Sequence, residues 1–141
     1  MTIREEVRDL FQTEQGYYLC HCISKDFRLG AGIALQFDDK YNMRRKLREF
    51  YGEDFYGGYE ALPVDNVFNL VTKDKCYHKP TYESLKAALE DMKEQMQQEF
   101  ITKLAMPRIG CGLDGLEWDK VRAIVEEVFA DTDVEILVCS L

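Results

Sequence analysis

The chain has 141 residues, 46% of them apolar and 31% charged, and carries a formal net charge of −8. That is the size of one domain, long enough to fold without disulfide or metal staples, and no apolar run approaches the roughly 20 residues a membrane-spanning helix needs. So acidic a composition argues against the lysine- and arginine-rich grip on phosphate backbones used by general nucleic-acid binders, so an anionic ligand must draw much of its attraction from backbone N–H groups.

No repeat, low-complexity run or linker divides the sequence, so residues 1–141 are expected to form a single domain. The opening "MTIREEVRDL" has no basic region followed by an apolar stretch, and the expectation is a cytoplasmic protein. Residues 3–11 read as a first strand with loose alternation. Residues 17–23, "YYLCHCI", are a near-continuous apolar run, as in a strand covered on both faces. Within it, Cys20 and Cys22 point to one face and His21 to the other, so the three cannot close on one metal ion. The five cysteines, an odd number without CxxC spacing, read as free thiols.

Helical patterns follow over 32–41 and 43–51, the second with Arg44, Arg45, Lys46 and Arg48 on a solvated face. Gly52 to Gly58 breaks the pattern. "YEALPV" and "NVFNLVT" flank Asp65-Asn66 as a hairpin. The clearest helix covers 81–98, with Leu85, Ala88, Leu89, Met92 and Met96 as its core stripe and Pro80 suited to its first turn. "ITKLAM" is a strand stopped by Pro107. A second helix carries Trp118, Val121, Val125, Val128 and Phe129 on one stripe, and "VEILVCSL" closes the chain as a buried strand. Strands alternating with helices predict an α/β fold with helices on both sides of a mixed sheet.

Two glycine-bearing loops follow strands, "SKDFRLGAGIA" (24–34) and "MPRIGCGLDGLEW" (106–118). Each by itself is compatible with a simple turn. Together, in one small acidic domain, they could wrap an anion with backbone N–H groups that no Cβ obstructs. Neither is a Walker A or a dinucleotide fingerprint, because no G-x-x-x-x-G-K-[ST] or complete G-x-G-x-x-G is present. For catalysis, His21 is mid-strand and reads as packed, and His78 lies in a polar loop. What remains is Asp114, which could take a proton or activate water, and Lys73, Lys75 and Lys79, any of which could act as a nucleophile.

The segments "RDLF", "HCISKDFRLGAGIA", "LVTK", "HKPTYESL" and "MPRIGCGLDGLEWDKV" resemble those of a macrodomain. More narrowly, they are similar to the branch containing terminal ADP-ribose protein glycohydrolase and the macrodomain of the chromatin remodeller ALC1. The resemblance spans the chain and implies a three-layer α/β/α fold with ADP-ribose above the sheet. Carried over by position, it implies that Asp9 receives the adenine amino group, with Leu10 beside it. Gly30, Ala31, Gly32 and Ile33 then lie against the diphosphate and distal ribose. Pro107, Arg108, Ile109, Gly110, Cys111, Gly112 and Leu113 wrap the phosphates from the other side, and Ser24 and Leu141 line the site. It also implies a catalytic pair, Lys73 and Asp114, and so selects Lys73 among the three lysines.

The resemblance thus implies a hydrolase of ester-linked ADP-ribose, on glutamyl or aspartyl side chains or in O-acetyl-ADP-ribose. Its rivals are a non-catalytic ADP-ribose reader and a hydrolase of ADP-ribosylated DNA. The expected partner is ADP-ribose or an ADP-ribosylated protein, with ADP-ribosylated nucleic acid as a further candidate; the chain is expected to act as a monomer, away from membranes, without metal or cofactor. Two features depart from the family pattern. Arg8 stands where many macrodomains have Gly, and the rim around "YGEDFYGG" and "GYEAL" has no family counterpart.

Overall fold

Alternation along a strand makes a two-faced sheet, and each face needs its own covering layer. In the computed structural model, which describes residues 1–141, six strands form one sheet: β1 (Thr2–Val7), β2 (Tyr18–Ser24), β3 (Ala61–Val64), β4 (Val67–Lys73), β5 (Lys103–Met106) and β6 (Glu135–Ser140). Their order is β1-β6-β5-β2-β4-β3. All neighbours are parallel except the β3–β4 hairpin, so the sheet is mixed. Four helices cover it: α1 (Gly32–Tyr41), α2 (Met43–Tyr51), α3 (Tyr82–Gln98) and α4 (Trp118–Phe129).

The central strand β2 shows how the layers divide. Cys20 is buried with Leu85, Leu89 and Met92 of α3 and Val121 and Val125 of α4, and Cys22 packs at the border of that cluster. Leu19 and Ile23 point the other way, among Phe37 of α1 and Met43 and Leu47 of α2. His21 shares that second face and stacks on Phe37 with ring centroids 3.9 Å apart. The result is the three-layer α/β/α arrangement expected from the sequence. Met92 and Met96 are fully buried core fillers, and no helix is long and apolar enough to cross a membrane.

Two boundaries differ from the sequence reading. The first strand ends at Val7 rather than running through residue 11, because the Asp9 carboxylate accepts from the Phe11 N–H and caps a single 3-10 turn, Leu10–Gln12. Arg8 clamps that turn, donating to Glu6 at 3.0 Å, Glu14 at 3.1 Å and the Gln12 carbonyl at 2.9 Å. Pro80 lies before α3 rather than in its first turn. The N-cap is Thr81, whose hydroxyl and that of Ser84 cap each other's backbone N–H groups.

Candidate active site

The five parallel strands end at one edge of the sheet. Val7 pairs with Ser140, Met106 with Val138 and Ser24 with Lys73. Asp9, the loop after β2, Lys73, the segment after β5 and Leu141 therefore leave the sheet side by side, at the edge where open α/β sheets bind ligands.

Lys73 is the last residue of β4, and its backbone is held on both sides. The β2–β4 register slips between Ile23, opposite Val71, and Ser24, opposite Lys73. Such an irregularity at a strand end re-aims a side chain. The Lys25 N–H donates to the Lys73 carbonyl at 3.0 Å, and the Ser84 hydroxyl at the start of α3 donates to the Thr72 carbonyl at 2.7 Å. So anchored, the Lys73 ammonium donates to Asp114 Oδ1 at 2.7 Å, with the two side chains only 15% and 17% exposed. Asp114 closes the one-turn 3-10 helix Gly112–Asp114.

The two glycine loops touch each other next to Asp114. A Cβ placed on Gly32 (φ +59°) would lie 3.3 Å from Leu113 Cδ1, so the first loop and the Gly112–Asp114 turn are in contact. Gly110 is buried with φ +72°, and a Cβ there would stand 2.9 Å from Leu116 Cδ1. Gly110→Ala is expected to lower unfolding stability by about 1–2 kcal/mol through left-handed strain. It should also weaken binding of the expected ligand, ADP-ribose, measured by calorimetry, because the left-handed backbone at Gly110 sets the course of the second loop. Unchanged stability and affinity would show that the loop tolerates a side chain.

The first loop is braced by residues that the sequence did not single out. Asp26 accepts from the Ser24 hydroxyl at 2.5 Å, the Cys76 N–H at 2.9 Å and the Arg28 N–H at 3.3 Å. Burial would raise the Asp26 carboxyl, but the Ser24 hydroxyl and the two N–H groups outweigh it and hold it below its usual range. Asp at this loop position is an ordinary Asx-turn signal; nothing in the sequence reveals its bond to a residue 50 positions away. Phe27 (φ 51°) and Leu29 (φ 44°) take left-handed backbone that bulky residues avoid, and burial of both side chains in the α1–α2 layer holds them there.

The remaining expected residues fall as follows. Gly30 and Ala31 are exposed and Ile33 is half-buried. Leu10 and Ile109 are buried, and Pro107 and Cys111 are half-buried. Asp9 is exposed, with one carboxylate oxygen capping its turn. The Ser24 hydroxyl is committed to Asp26. Arg108 lies 3.4 Å from Glu5 and over the Trp118 ring, so its guanidinium is engaged at the start of α4. Leu141 is exposed beyond β6.

Two thiols lie at this edge, Cys22 beside the pair and Cys111 in the second loop, and neither is suited to attack. Burial, and after it the Asp114 charge, pushes the Cys22 thiol up to about 12. Burial also raises the Cys111 thiol, against the opposing charge of Arg108. Both stay protonated near neutral pH, and a thiol is a poor nucleophile. The amine and carboxylate of Lys73 and Asp114 are the reactive groups this edge offers.

A fold of this topology, with two glycine loops meeting over the ends of parallel strands, defines an open α/β domain with a candidate ligand site at its strand ends. A profile of the Macro domain family matches residues 20–125, and the chain belongs to that family. It is 45% identical over 135 residues to the Bos taurus protein "ADP-ribose glycohydrolase OARD1", covering 94% of this chain and 88% of that one. It is 29% identical over 109 residues to the Thermus aquaticus "DNA ADP-ribosyl glycohydrolase", which is 70% of this chain and 30% of that protein. Among solved structures, the macrodomain of Mycobacterium tuberculosis DarG superposes with a TM-score of 0.84 at 23% identity, over 99% of this chain and 98% of that one.

Proposed function

We propose that this macrodomain is a hydrolase that binds ADP-ribose and releases it from esters. The esters are glutamyl- or aspartyl-ADP-ribose on proteins and O-acetyl-ADP-ribose, so that the enzyme acts as both glycohydrolase and deacetylase. The observation that carries this reading is the shielded 2.7 Å pair of Lys73, at the end of β4, and Asp114, in the second glycine loop next to its contact with the first. The likeness to the glycohydrolase relatives supports it. Asp9 and Leu10 would receive the adenine. Gly30, Ala31, Gly32 and Ile33 on one side, and the segment from Pro107 to Leu113 on the other, would hold the diphosphate and distal ribose. Leu141 would border the site.

In this mechanism the Lys73 ammonium passes a proton to Asp114, and the freed amine attacks C1″ of the distal ribose. A C–N bond forms, the C1″–O bond breaks, and its electron pair leaves with the carboxylate. Asp114 delivers its proton to the ring oxygen, the nitrogen gives one of its two protons to solvent, and its freed lone pair opens the sugar to an iminium. Water then adds, Lys73 departs as its ammonium, and ADP-ribose is released. No metal or redox cofactor enters the scheme. The five free cysteines support a reducing, cytoplasmic setting.

The test is to give the protein three substrates in parallel: a glutamyl-ADP-ribosylated protein, O-acetyl-ADP-ribose and ADP-ribosylated DNA. Release of ADP-ribose from the two esters is expected. Tight ADP-ribose binding in calorimetry with no turnover of any substrate would make the protein a reader. Turnover confined to DNA would replace the ester reading.

A further inference from the structure

A recess beside the Lys73–Asp114 pair is lined by Lys73 itself and opens at the start of α3. It is a cleft of about 280 Å³ lined by Tyr59, Thr72, Lys73, Asp74, His78, Lys79, Thr81 and Ser84, with no residue of either glycine loop in its wall. It lies against the N-terminal end of the 17-residue helix α3. The charges that face it are unbalanced. Asp74 is already taken, by Lys25 at 3.2 Å and the Tyr59 hydroxyl at 3.0 Å. Lys79, in contrast, donates its ammonium to the neutral Leu113 carbonyl.

Leu113 links this cleft to the reacting pair. Its side chain reaches Gly32 in the first glycine loop, its carbonyl meets Lys79, and the next residue is Asp114. A ligand with its diphosphate in the loops and its C1″ at Lys73 must direct whatever is bonded to C1″ away from the loops. This cleft is in contact with Lys73 and holds no loop residue in its wall, so it can receive that group. Its volume is near the lower end for ligand sites, which suits a side-chain-sized group rather than a second nucleotide.

The geometry points to this cleft as the subsite for the departing carboxylate, with Lys79 as the cation that meets it. This rests on the ester-hydrolase reading above. When C1″–O breaks, the bonding pair stays on the carboxylate oxygen, and negative charge develops there as Lys73 takes C1″. An ammonium tethered to the Leu113 carbonyl and the positive end of α3 favour that charge more in the transition state than in the neutral ester. The acetate of O-acetyl-ADP-ribose and the side-chain carboxylate of a modified protein share this chemistry.

The test compares wild type, Lys79→Gln and Lys79→Arg on 1″-O-acetyl- and 1″-O-chloroacetyl-ADP-ribose and on a glutamyl-ADP-ribosylated protein. Lys79→Gln is expected to lower kcat on the acetyl ester about tenfold or more, the scale of one charge-assisted hydrogen bond. The Kd for ADP-ribose itself should change far less than kcat, since the glutamine removes the charge but keeps a donor for the Leu113 carbonyl. The deficit should shrink on the chloroacetyl ester, whose carboxylate is less basic and needs less help, and Lys79→Arg should recover most of the loss. A similar loss on the protein ester extends the subsite to side-chain carboxylates; a loss on the protein ester alone overturns the assignment to a free carboxylate. Equal deficits on both acyl esters would overturn the proposal and leave Lys79 as a brace for the Asp114 turn. Full activity of Lys79→Gln would also overturn it. Wild type inactive on every ester would instead sink the hydrolase reading, and the subsite with it.

Discussion

Lys73→Ala is expected to reduce ADP-ribose release from ester substrates by at least about a thousandfold, since removing the nucleophile of a unit loses nearly the whole of the unit's joint effect. Asp114→Ala should fall in the range of about 10²–10⁴, that of a lost general acid–base group. Both follow from geometry. Lys73 and Asp114 lie 41 positions apart in the chain yet touch at 2.7 Å, both largely shielded from water. Removing Lys73 leaves Asp114 without its charge partner and C1″ without an attacking amine. Removing Asp114 leaves no group beside Lys73 to take its proton. Multiple-turnover kinetics on O-acetyl-ADP-ribose check both variants, with calorimetry to show that ADP-ribose still binds. If Lys73→Ala instead loses only a few fold while Asp114→Ala is inactive, water activated by Asp114 replaces the covalent route. Wild-type turnover by both variants would remove the pair from the mechanism.

The second large effect concerns stability against acid. His21 is fully buried, and burial pushes its imidazole down to about 4, a displacement that the Asn69 hydrogen bond only partly opposes. Asn69 donates its amide N–H to the Leu62 carbonyl at 3.0 Å, so its oxygen faces His21 Nε2 at 2.6 Å and accepts from it. Nε2 therefore carries the proton, and Nδ1 has no partner. Protonating Nδ1 would place an unpaired N–H and a full charge beside Phe37. In the unfolded chain the ring titrates near 6.5. The depressed native value means that the unfolded state binds more protons between about pH 6.5 and 4. The stabilisation is complete above pH 6.5 and is lost as pH falls to 4, amounting to about 3 kcal/mol. Urea unfolding of wild type and His21→Gln from pH 7.5 to 4 should show a steeper fall for wild type. Parallel curves would mean that His21 is not the acid-sensitive group.

Much of the fold was legible because it depends on local periodicity. "YYLCHCI" carries the mark of a strand covered twice, and Leu85, Ala88, Leu89, Met92 and Met96 trace one helix face. Errors fell where short polar side chains redirect the backbone. Asp9 turns the chain two residues after β1 ends, and Thr81 rather than Pro80 opens α3. The same rule explains Asp26, whose bond to Cys76 N–H closes one loop onto another across 50 residues.

By itself the sequence determined the α/β class, the two glycine loops and, through its likeness to macrodomains, the choice of Lys73 and Asp114 as the residues to watch. Only the tertiary structure decided that these two meet, because their approach depends on a register slip at the end of β4 and on a turn after β5. It also decided that Ser24 commits its hydroxyl within its own loop, that Cys22 and Cys111 stay protonated, and that Lys79 reaches the Asp114 turn beside a cleft that Lys73 also lines. The physical reason is the same in each case. Periodicity and propensity act between near neighbours, whereas proton affinity, ion pairing and cavity shape depend on which distant segments the closed sheet brings together.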